Sequence, residues 1–356
     1  MKYLVVKIRP KSSFHLGERE QWYEGSKVHL PADTLFSALC HCYLLLNGEV
    51  ESFVRQFRSD EVPFLISSGF PFWYEDYYFP LPKNKFLSPD EMKSLKEIFE
   101  KRKDEKGQSI ELKEIKKIQF VNLRSLLLLL SGQSLFDLVL NALEDGNLRT
   151  IPVLFRCRES EEKEPDNPWR EKPWSIDRVP RISLSRLSSH PGEKLFHFGQ
   201  VYYHPKAGLF VMVKINQPQW ETKIRSLFFL LSHEGIGGDR TCGHGLFDGP
   251  EFTEIEVPDI DGDGLYCLSP YFPAENEGSG LAEGFYDLEE RKGYIFSPAG
   301  SSLRRRSVRL FSEGSVFPRN LNRRGFLVDL TPDIFRVHRV FRYGFLFSLS
   351  CYLEEK

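Results

Sequence analysis

The chain has 356 residues, of which 41% are hydrophobic and 28% charged, and its formal net charge is −2. Such a composition is typical of a folded globular protein with room for two domains, and it gives no sign of a strongly basic nucleic-acid binder. The longest apolar run, Leu126–Leu130, is far shorter than the ~20 residues that span a bilayer. The N-terminus alternates like a strand, unlike a signal peptide. We therefore expect a cytoplasmic protein without membrane contact.

The first elements follow from periodicity and turn residues. A strand is predicted at Lys2–Arg9. Asp33 is the expected N-cap of a helix that ends at Gly48 and carries apolar residues at helical spacing. Phe64–Pro82 is aromatic and interrupted by proline, which favours strands around a tight turn. Ser88–Lys117 is rich in lysine and glutamate and predicts a helical insert on the surface.

The next elements complete a recurring order. Ile118–Leu130 is apolar and predicted helical, whereas Arg156–Pro180 carries charges, prolines and tryptophans and predicts an exposed excursion. The segment "KLFHFGQVYYHPKAGLFVMVKI" that begins at Lys194 predicts a hairpin. A helix at Glu221–Ser232 and a strand at Glu251–Val257 follow. The resulting order, β-α-β-β-α-β, is the ferredoxin-like pattern.

The sequence thus predicts an α+β protein with two ferredoxin-like (RRM-like) domains. The first spans residues 1–257, with a large insertion at about 50–190 that includes the excursion at 156–180. The second, smaller domain spans residues 258–356, where further strand signals occur.

Charge is unevenly distributed along the second half of the chain. Asp248 to Glu290 contains thirteen acidic residues and neither lysine nor arginine, whereas Ser301 to Phe345 contains ten arginines and three acidic residues. The planar guanidinium suits phosphate oxygens and stacks on bases. We interpret the arginine-rich segment as a surface for phosphates and the acidic segment as a surface for a protein partner.

The segment "HEGIGGDRTCGHGLF" (His233–Phe247) holds five glycines. It is not a Walker A loop, because His244 stands where lysine is required after Gly243, and it ends a helix instead of opening one as a dinucleotide motif does. Glycines let a sugar-phosphate backbone approach closely. The segment therefore predicts contact with RNA, since five glycines exceed the needs of one turn.

Six segments, in order, resemble a known family. The chain is similar to the fourth Csm subunit of type III-A CRISPR effector complexes, a branch of the RAMP superfamily. The segments are "FHLGE" (14–18), "LPADTLFSALC" (30–40), "RVPRISLSRLS" (178–188), "GIGGDRTCGHGLF" (235–247), "GYIFSPAGSSLRRRSVRLFSEGSVF" (293–317) and "HRVFRYGFLFSLS" (338–350).

The resemblance implies a non-catalytic subunit that caps the complex and holds the 5′ repeat-derived handle of the CRISPR RNA, which contributes to self/non-self discrimination in antiviral defence. The implied partners are this RNA, the large polymerase-like subunit and a backbone subunit, with no cofactor or metal. The excursion at 156–180 would be a thumb-like projection. The RNA-binding residues so predicted are His15, Asp33, Thr34, Arg181, Arg186, Gly237, Gly238, Asp239, Arg240, Thr241, Cys242, Gly243, His244, Gly245, Arg304, Arg305, Arg306 and Arg309.

Two alternatives to an RNA-binding scaffold remain open. One is a metal-independent endoribonuclease that processes CRISPR precursor RNA with His15 or His244 as general acid or base. The sequence offers no second positioned group for it, and the loop after the first strand has Glu18, Glu20 and Glu24 but no aspartate like that of RNA-cutting backbone subunits. The other is an adaptor that binds only proteins. If RNA is bound, aromatic residues such as Phe14, Trp22 and Tyr202 could stack on bases.

Overall fold

The structure is a computed structural model. It describes residues 1–17, 24–59, 61–106, 115–144, 149–151, 154–156, 172–184, 191–295, 297, 303–319 and 324–354. Trp22, Arg186 and the greater part of the predicted excursion, residues 157–171, lie outside the described residues.

The described residues form a mixed α+β structure with several antiparallel sheets. In chain order its elements are β1 (Lys2–Ile8), α1 (Ala32–Asn47), α2 (Glu51–Gln56), β2 (Phe64–Ile66), β3 (Phe70–Trp73), β4 (Asp76–Pro80), α3 (Pro89–Lys106), β5 (Phe120–Asn122), α4 (Leu123–Leu130), α5 (Leu135–Glu144), β6 (Arg149–Ile151), β7 (Leu154–Arg156), β8 (Trp174–Leu184), β9 (Pro191–Tyr203), β10 (Ala207–Ile215), α6 (Trp220–Glu234), β11 (Glu251–Glu256), β12 (Gly264–Cys267), β13 (Leu288–Arg291), β14 (Val308–Phe311), β15 (Val316–Pro318), β16 (Leu327–Asp329), β17 (Phe341–Tyr343) and β18 (Ser348–Cys351).

The largest sheet has the spatial order β11-β1-β10-β3-β4-β5-β7-β6, and β2 also pairs with β10. Its first four strands are antiparallel neighbours, with Val5 opposite Met212 and Thr253. Together with α1 and α6 they reproduce the predicted β-α-β-β-α-β order. The second strand of that order is nevertheless β3. The sequence had predicted instead that the first strand of the hairpin, which corresponds to β9, takes this place.

The pairing predicted for that hairpin is wrong. Strands β9 and β10 both exist, and Ala207 N donates to His204 O at the turn between them (2.7 Å). However, β9 pairs with β8, from Trp174 opposite Tyr203 to Leu184 opposite Pro191. A strand has only two hydrogen-bonding edges, and those of β10 are occupied by β1 on one side and by β2 and β3 on the other. Strands β8 and β9 therefore form a separate two-stranded ribbon.

Two cores lie on the two faces of the large sheet. Alternate residues of β1 point to opposite faces, so Tyr3 and Val5 enter one core while Val6 and Ile8 enter the other. Helices α1 and α6 cover the second face, through buried residues at helical spacing such as Leu35 in α1. Burial of these apolar side chains stabilises the sheet at about 25 cal/mol per Å² of apolar surface removed from water.

Helix ends agree with the glycine signals. Gly48 ends α1 in the left-handed conformation (φ 75°), and its N–H bonds to Leu44 O. Gly235 follows α6 with a positive φ (76°) but an extended ψ (165°), and its N–H bonds to Leu231 O. Pro31, not Asp33, occupies the N-cap of α1 and makes no side-chain capping bond. The N-cap prediction for Asp33 is therefore wrong, and the cause is the use of its carboxylate elsewhere, described below.

Residues 258–354 pack against the large sheet through small sheets of their own. A three-stranded sheet of order β15-β12-β18 places Tyr266, Val316 and Leu349 in the same core as Tyr3. Strand β13 pairs with β14, and β16 pairs with β17. The described residues of this region contain strands and short 3-10 turns but no α-helix, so the helices that a second ferredoxin-like unit requires are not among them.

Within the described part of the chain, no helix is both long enough and apolar enough to cross a bilayer.

Candidate nucleic-acid interface

The glycine-rich segment His233–Phe247 leaves the C-terminus of α6 and packs against the chain that follows β1. Gly238 N donates to His15 O (2.9 Å), and Gly245 N donates to Ser13 O (2.9 Å). These bonds hold the two segments side by side, so the loop is fixed to the segment that follows β1. The side chain of His15, predicted from sequence, is thereby brought to the loop.

Two of the five glycines are explained by this internal packing. A Cβ atom added at Gly237 would lie 2.4 Å from His15 O, and one added at Gly245 would lie 2.0 Å from Ile236 O. Both residues also have positive φ, at 94° and 78°. By contrast, a Cβ at Gly243 would meet no atom within 4 Å, although φ is 83°. The density of glycines, used above to infer a phosphate, thus has a structural cause at two positions, while Gly243 faces open space.

The tip of the loop is one exposed turn. Arg240–Cys242 form a single 3-10 turn between Asp239 (φ 62°) and Gly243, both left-handed. Cys242 N donates to Asp239 O (2.9 Å), and Gly243 N donates to Arg240 O (3.0 Å). Thr241, Cys242 and Gly243 are exposed. The turn presents a short run of backbone and small side chains to solvent.

His244 lies behind this turn at the centre of a polar cluster. Its Nε2 is 3.3 Å from Arg181 Nη2 and 3.3 Å from Gln200 Nε2, and its Nδ1 is 2.8 Å from Ser13 Oγ. Guanidinium and amide nitrogens only donate, so Nε2 of His244 accepts and Nδ1–H donates to the hydroxyl. Tyr202 OH donates to Gln200 Oε1 (2.7 Å), which extends the cluster to an exposed aromatic ring.

Arg181 joins the ribbon to the loop. Its Nη1 donates to Asp239 Oδ2, and its guanidinium lies over the ring of Phe198, 4.5 Å from the centroid. The ring of His15 stacks on Phe198 at 4.0 Å, and its Nδ1–H donates to Gly199 O (2.7 Å). Burial lowers the pKa of His15, and the guanidinium of Arg181 acts in the same direction. These contacts orient the imidazole of His15 and the guanidinium of Arg181 at one surface.

Asp33 and Thr34 are at the start of α1, but the carboxylate faces protein. Arg291 Nη2 donates to Asp33 Oδ1 (2.8 Å) and to Thr34 Oγ1 (3.0 Å), while Arg342 Nη1 donates to Asp33 Oδ2. Asp33 is completely buried, and burial lowers the pKa of Arg342 to about 10. A carboxylate held by two arginines cannot serve as an N-cap, which explains the use of Pro31.

A groove of about 1190 Å³ opens beside Thr34. One wall is the ribbon, the other is β13 together with Lys292, Gly293, Arg304 and Arg305, and the floor includes Lys27, Val28 and His29. One face of the ribbon lines the groove and the opposite face contacts the polar cluster around His244. Side chains alternate along a strand, so even-numbered Trp174 and Ile176 line the groove whereas odd-numbered Arg181 contacts the cluster. The residues that line the groove are Gly17, Ser26, Lys27, Val28, His29, Thr34, Gln119, Trp174, Ile176, Leu288, Glu289, Glu290, Arg291, Lys292, Gly293, Arg304 and Arg305.

The predicted arginine cluster is divided between surfaces. Arg304 and Arg305 line the groove, and Arg304 Nη2 donates to the hydroxyl of Tyr294 (3.3 Å). Arg306 instead forms an exposed ion pair with Asp333 and lines a different cavity. Arg309 is exposed on β14. The basic run in the sequence therefore does not become one basic surface.

Sequence reasoning missed four residues that organise these sites. Ser13 and Gln200 surround His244, and Arg291 and Arg342 hold Asp33. Arg291 lies 258 residues from Asp33, so no local pattern signals the contact. The described residues hold no group of three or more His, Cys, Asp or Glu side chains that could bind a metal ion.

Comparisons with known proteins bear on this geometry. Residues 261–351 match the model of the CRISPR Csm4 C-terminal domain. A relative from Thermococcus onnurineus, the CRISPR system Cms protein Csm4, is 24% identical over 99% of this chain and 98% of its own. The chain is similar to Csm4 proteins of CRISPR systems along nearly its whole length. The resemblance inferred from the six sequence segments is thereby confirmed.

Solved structures share the Csm4 fold. The described fold is similar to a chain in a Csm3-Csm4 subcomplex of the type III-A CRISPR-Cas interference complex, with a TM-score of 0.63 at 18% identity, covering 98% of this chain and 99% of that one. It is also similar to a chain in a Csm1-Csm4 cassette in complex with cA4, with a TM-score of 0.56 at 19% identity and full coverage of both chains. Those Csm4 relatives are thus seen with Csm1 and with Csm3.

Proposed function

We propose that this protein is the Csm4 subunit of a type III-A CRISPR complex, that it acts in the cytoplasm, and that it binds the 5′ repeat-derived handle of the CRISPR RNA. Its partners are a Csm1-type large subunit and a Csm3-type backbone subunit. The proposal draws on the relatives that occur in Csm1-Csm4 and Csm3-Csm4 complexes. Handle binding contributes to self/non-self discrimination. The division into residues 1–257 and 258–356 is part of the same proposal.

One observation carries the RNA-binding part of the proposal. The exposed turn Arg240–Gly243 lies beside a guanidinium that is already oriented, since Arg181 is held by Asp239 and packed on Phe198. Prepositioned donors bind a phosphate without the loss of side-chain entropy that a flexible arginine incurs. The turn leaves room at Gly243 for a sugar-phosphate backbone, because no atom would contact a Cβ there.

The geometry favours binding over cleavage. Nδ1 of His15 is used by Gly199 O, and both ring nitrogens of His244 have hydrogen-bond partners. A general acid or base must reach the proton that it transfers, so the occupied nitrogens of His244 and Nδ1 of His15 cannot serve. Of these two imidazoles only Nε2 of His15 is left, whereas RNA cleavage needs both an acid and a base. We therefore propose that the protein is not an enzyme and that His15 and His244 position the loop.

Fluorescence anisotropy with handle-containing RNA and a scrambled RNA, over a salt series, tests the proposal. We expect preference for the handle, and we expect Arg240→Ala to weaken binding and reduce the salt slope by about 1. Arg225→Ala is the matched control, because Arg225 pairs with Glu221 on the surface of α6 (2.7 Å). Equal and weak binding of both RNAs, even after Csm1- and Csm3-type partners are added, would contradict handle recognition.

The same preparation tests the absence of catalysis. Repeat-containing RNA incubated with the protein for several hours should stay intact. Cleavage that disappears in His15→Ala or His244→Ala would instead establish the endoribonuclease.

A further inference from the structure

The groove between the ribbon and β13 is rich in cations, but most of them are neutralised within the protein. Lys27 pairs with Glu289, and Lys292 pairs with Glu290 (2.8 Å). Arg291 is held by Asp33 (2.8 Å). These pairs form part of the structure of the groove and leave little charge for a ligand.

Arg305 differs from these residues. Its Nε atom is buried and has no hydrogen-bond partner among the described residues, and within the same part of the chain no carboxylate pairs with it. The guanidinium lies over Gly293, where a Cβ would be 3.0 Å from Nη2, so the glycine makes room for it. Burial and the neighbouring charge of Arg291 lower the pKa of Arg305 to about 10. A buried cation without a counter-ion is costly, and an anion in the groove would offset that cost.

The opposite wall of the groove is apolar. Trp174 is half-buried there and Ile176 is 46% exposed. A ligand that fits must therefore combine an anion with flat or apolar surface, and it must be long enough for a groove of about 1190 Å³. Single-stranded RNA has these properties, since phosphates alternate with bases that stack on aromatic rings.

We propose that Arg305 binds one backbone phosphate of single-stranded RNA in this groove, while Trp174 and Ile176 contact the adjoining base or sugar. The proposal rests on the proposed function and assigns it a second contact surface, on the opposite face of the ribbon from the glycine-rich loop. The guanidinium fork of Arg305 matches phosphate oxygens better than a point charge does.

A chemical double-mutant cycle tests this contact. Handle RNAs that each carry one methylphosphonate, a neutral replacement for a phosphate, are titrated against the parent protein and Arg305→Gln by anisotropy. We expect one position at which the methylphosphonate weakens binding to the parent about tenfold. Arg305→Gln should weaken binding of unmodified RNA by a similar factor. In this variant, a methylphosphonate at the same RNA position should cause no further loss of affinity.

Two controls make the outcomes distinct. Arg225→Gln removes an arginine on the surface of α6 that does not line the groove, and its methylphosphonate profile should match that of the parent. Because Arg305→Gln removes a buried cation without a counter-ion, its melting temperature should not fall below that of the parent.

If the RNA binds with handle preference but no methylphosphonate position couples to Arg305, the contact is disproved and the proposed function stands. The same holds if Arg305→Gln weakens only assembly with a protein partner, which would mean that a partner carboxylate occupies the groove. If neither the protein nor its complex prefers the handle, the proposed function fails together with this contact.

Discussion

Arg291 holds Asp33 through two hydrogen bonds, Nη2 to Oδ1 at 2.8 Å and Nε to Oδ2 at 3.0 Å, although the two residues are 258 positions apart. Arg342 donates to the same carboxylate. The network ties the start of α1 to the C-terminal strands, and it shapes the end of the groove because Arg291 also reaches Thr34. A single carboxylate therefore connects the two halves of the chain.

Asp33→Asn is expected to lower the free energy of unfolding by about 3 kcal/mol, because it leaves the buried guanidinium of Arg342 without its counter-ion and leaves Arg291 with Glu289 alone. Urea denaturation followed by circular dichroism measures the change. Glu221→Gln is the control, since its pair with Arg225 is exposed and its loss should cost less than about 1 kcal/mol. Similar small losses in both variants would show that the network does not stabilise the fold.

Acid should destabilise the protein through His29. Burial lowers the pKa of this residue from 6.5 to about 4. The charges of Lys27 and Arg291 also lower the pKa, whereas those of Glu313 and Glu289 raise it. Between these values the unfolded chain binds a proton that the folded chain does not, so stability falls as pH falls from 6.5 towards 4. The slope from this one group is at most about 1.4 kcal/mol per pH unit.

Urea titrations at several pH values down to about pH 5, above the range in which ordinary carboxylates titrate, measure this slope. In His29→Gln the free energy of unfolding should depend less on pH over the same range. Parallel curves for the parent and the variant would disprove the role of His29.

The glycines of the loop should differ in their tolerance of alanine. Gly245→Ala places a Cβ 2.0 Å from Ile236 O at positive φ, so we expect a loss of about 3 kcal/mol or more. Gly243→Ala meets no atom within 4 Å and should lose only the ~1 kcal/mol of a left-handed alanine. Thermal unfolding of both variants tests the order. Equal losses would mean that the turn is not packed as described.

Asp239→Asn should reduce discrimination between RNAs without unfolding the loop. Asparagine tolerates the left-handed conformation of Asp239 (φ 62°), but Arg181 loses its carboxylate partner and its fixed orientation. Under the proposed function, affinity for scrambled RNA rises, because a negative charge is removed, and the ratio of handle to scrambled affinity falls several-fold.

The matched control is Asp248→Asn, which removes the same charge from an exposed pair with Lys11 (3.0 Å). It should leave the affinity ratio unchanged. A ratio that stays at the parent value in Asp239→Asn as well would show that the Arg181–Asp239 pair does not orient the site.

Local patterns predicted many elements but not their partners. Alternation in Lys2–Arg9 and helical spacing in Glu221–Ser232 correspond to β1 and α6, and Gly48 and Gly235 end their helices as expected. Apolar periodicity reports which face of an element is buried, and that property is local. The prediction failed for Asp33, because its partners come from the far end of the chain.

The sequence by itself determined the α+β class, the glycine-rich loop and the resemblance to the Csm4 family, because these depend on periodicity and on motifs within short segments. Only the tertiary structure decided that β9 pairs with β8, since both edges of β10 are taken. It alone divided the arginine run, sending Arg305 to the groove and Arg306 to Asp333. Pairing and ion partners depend on which distant segments compete for one edge or one charge, and local sequence does not encode that competition.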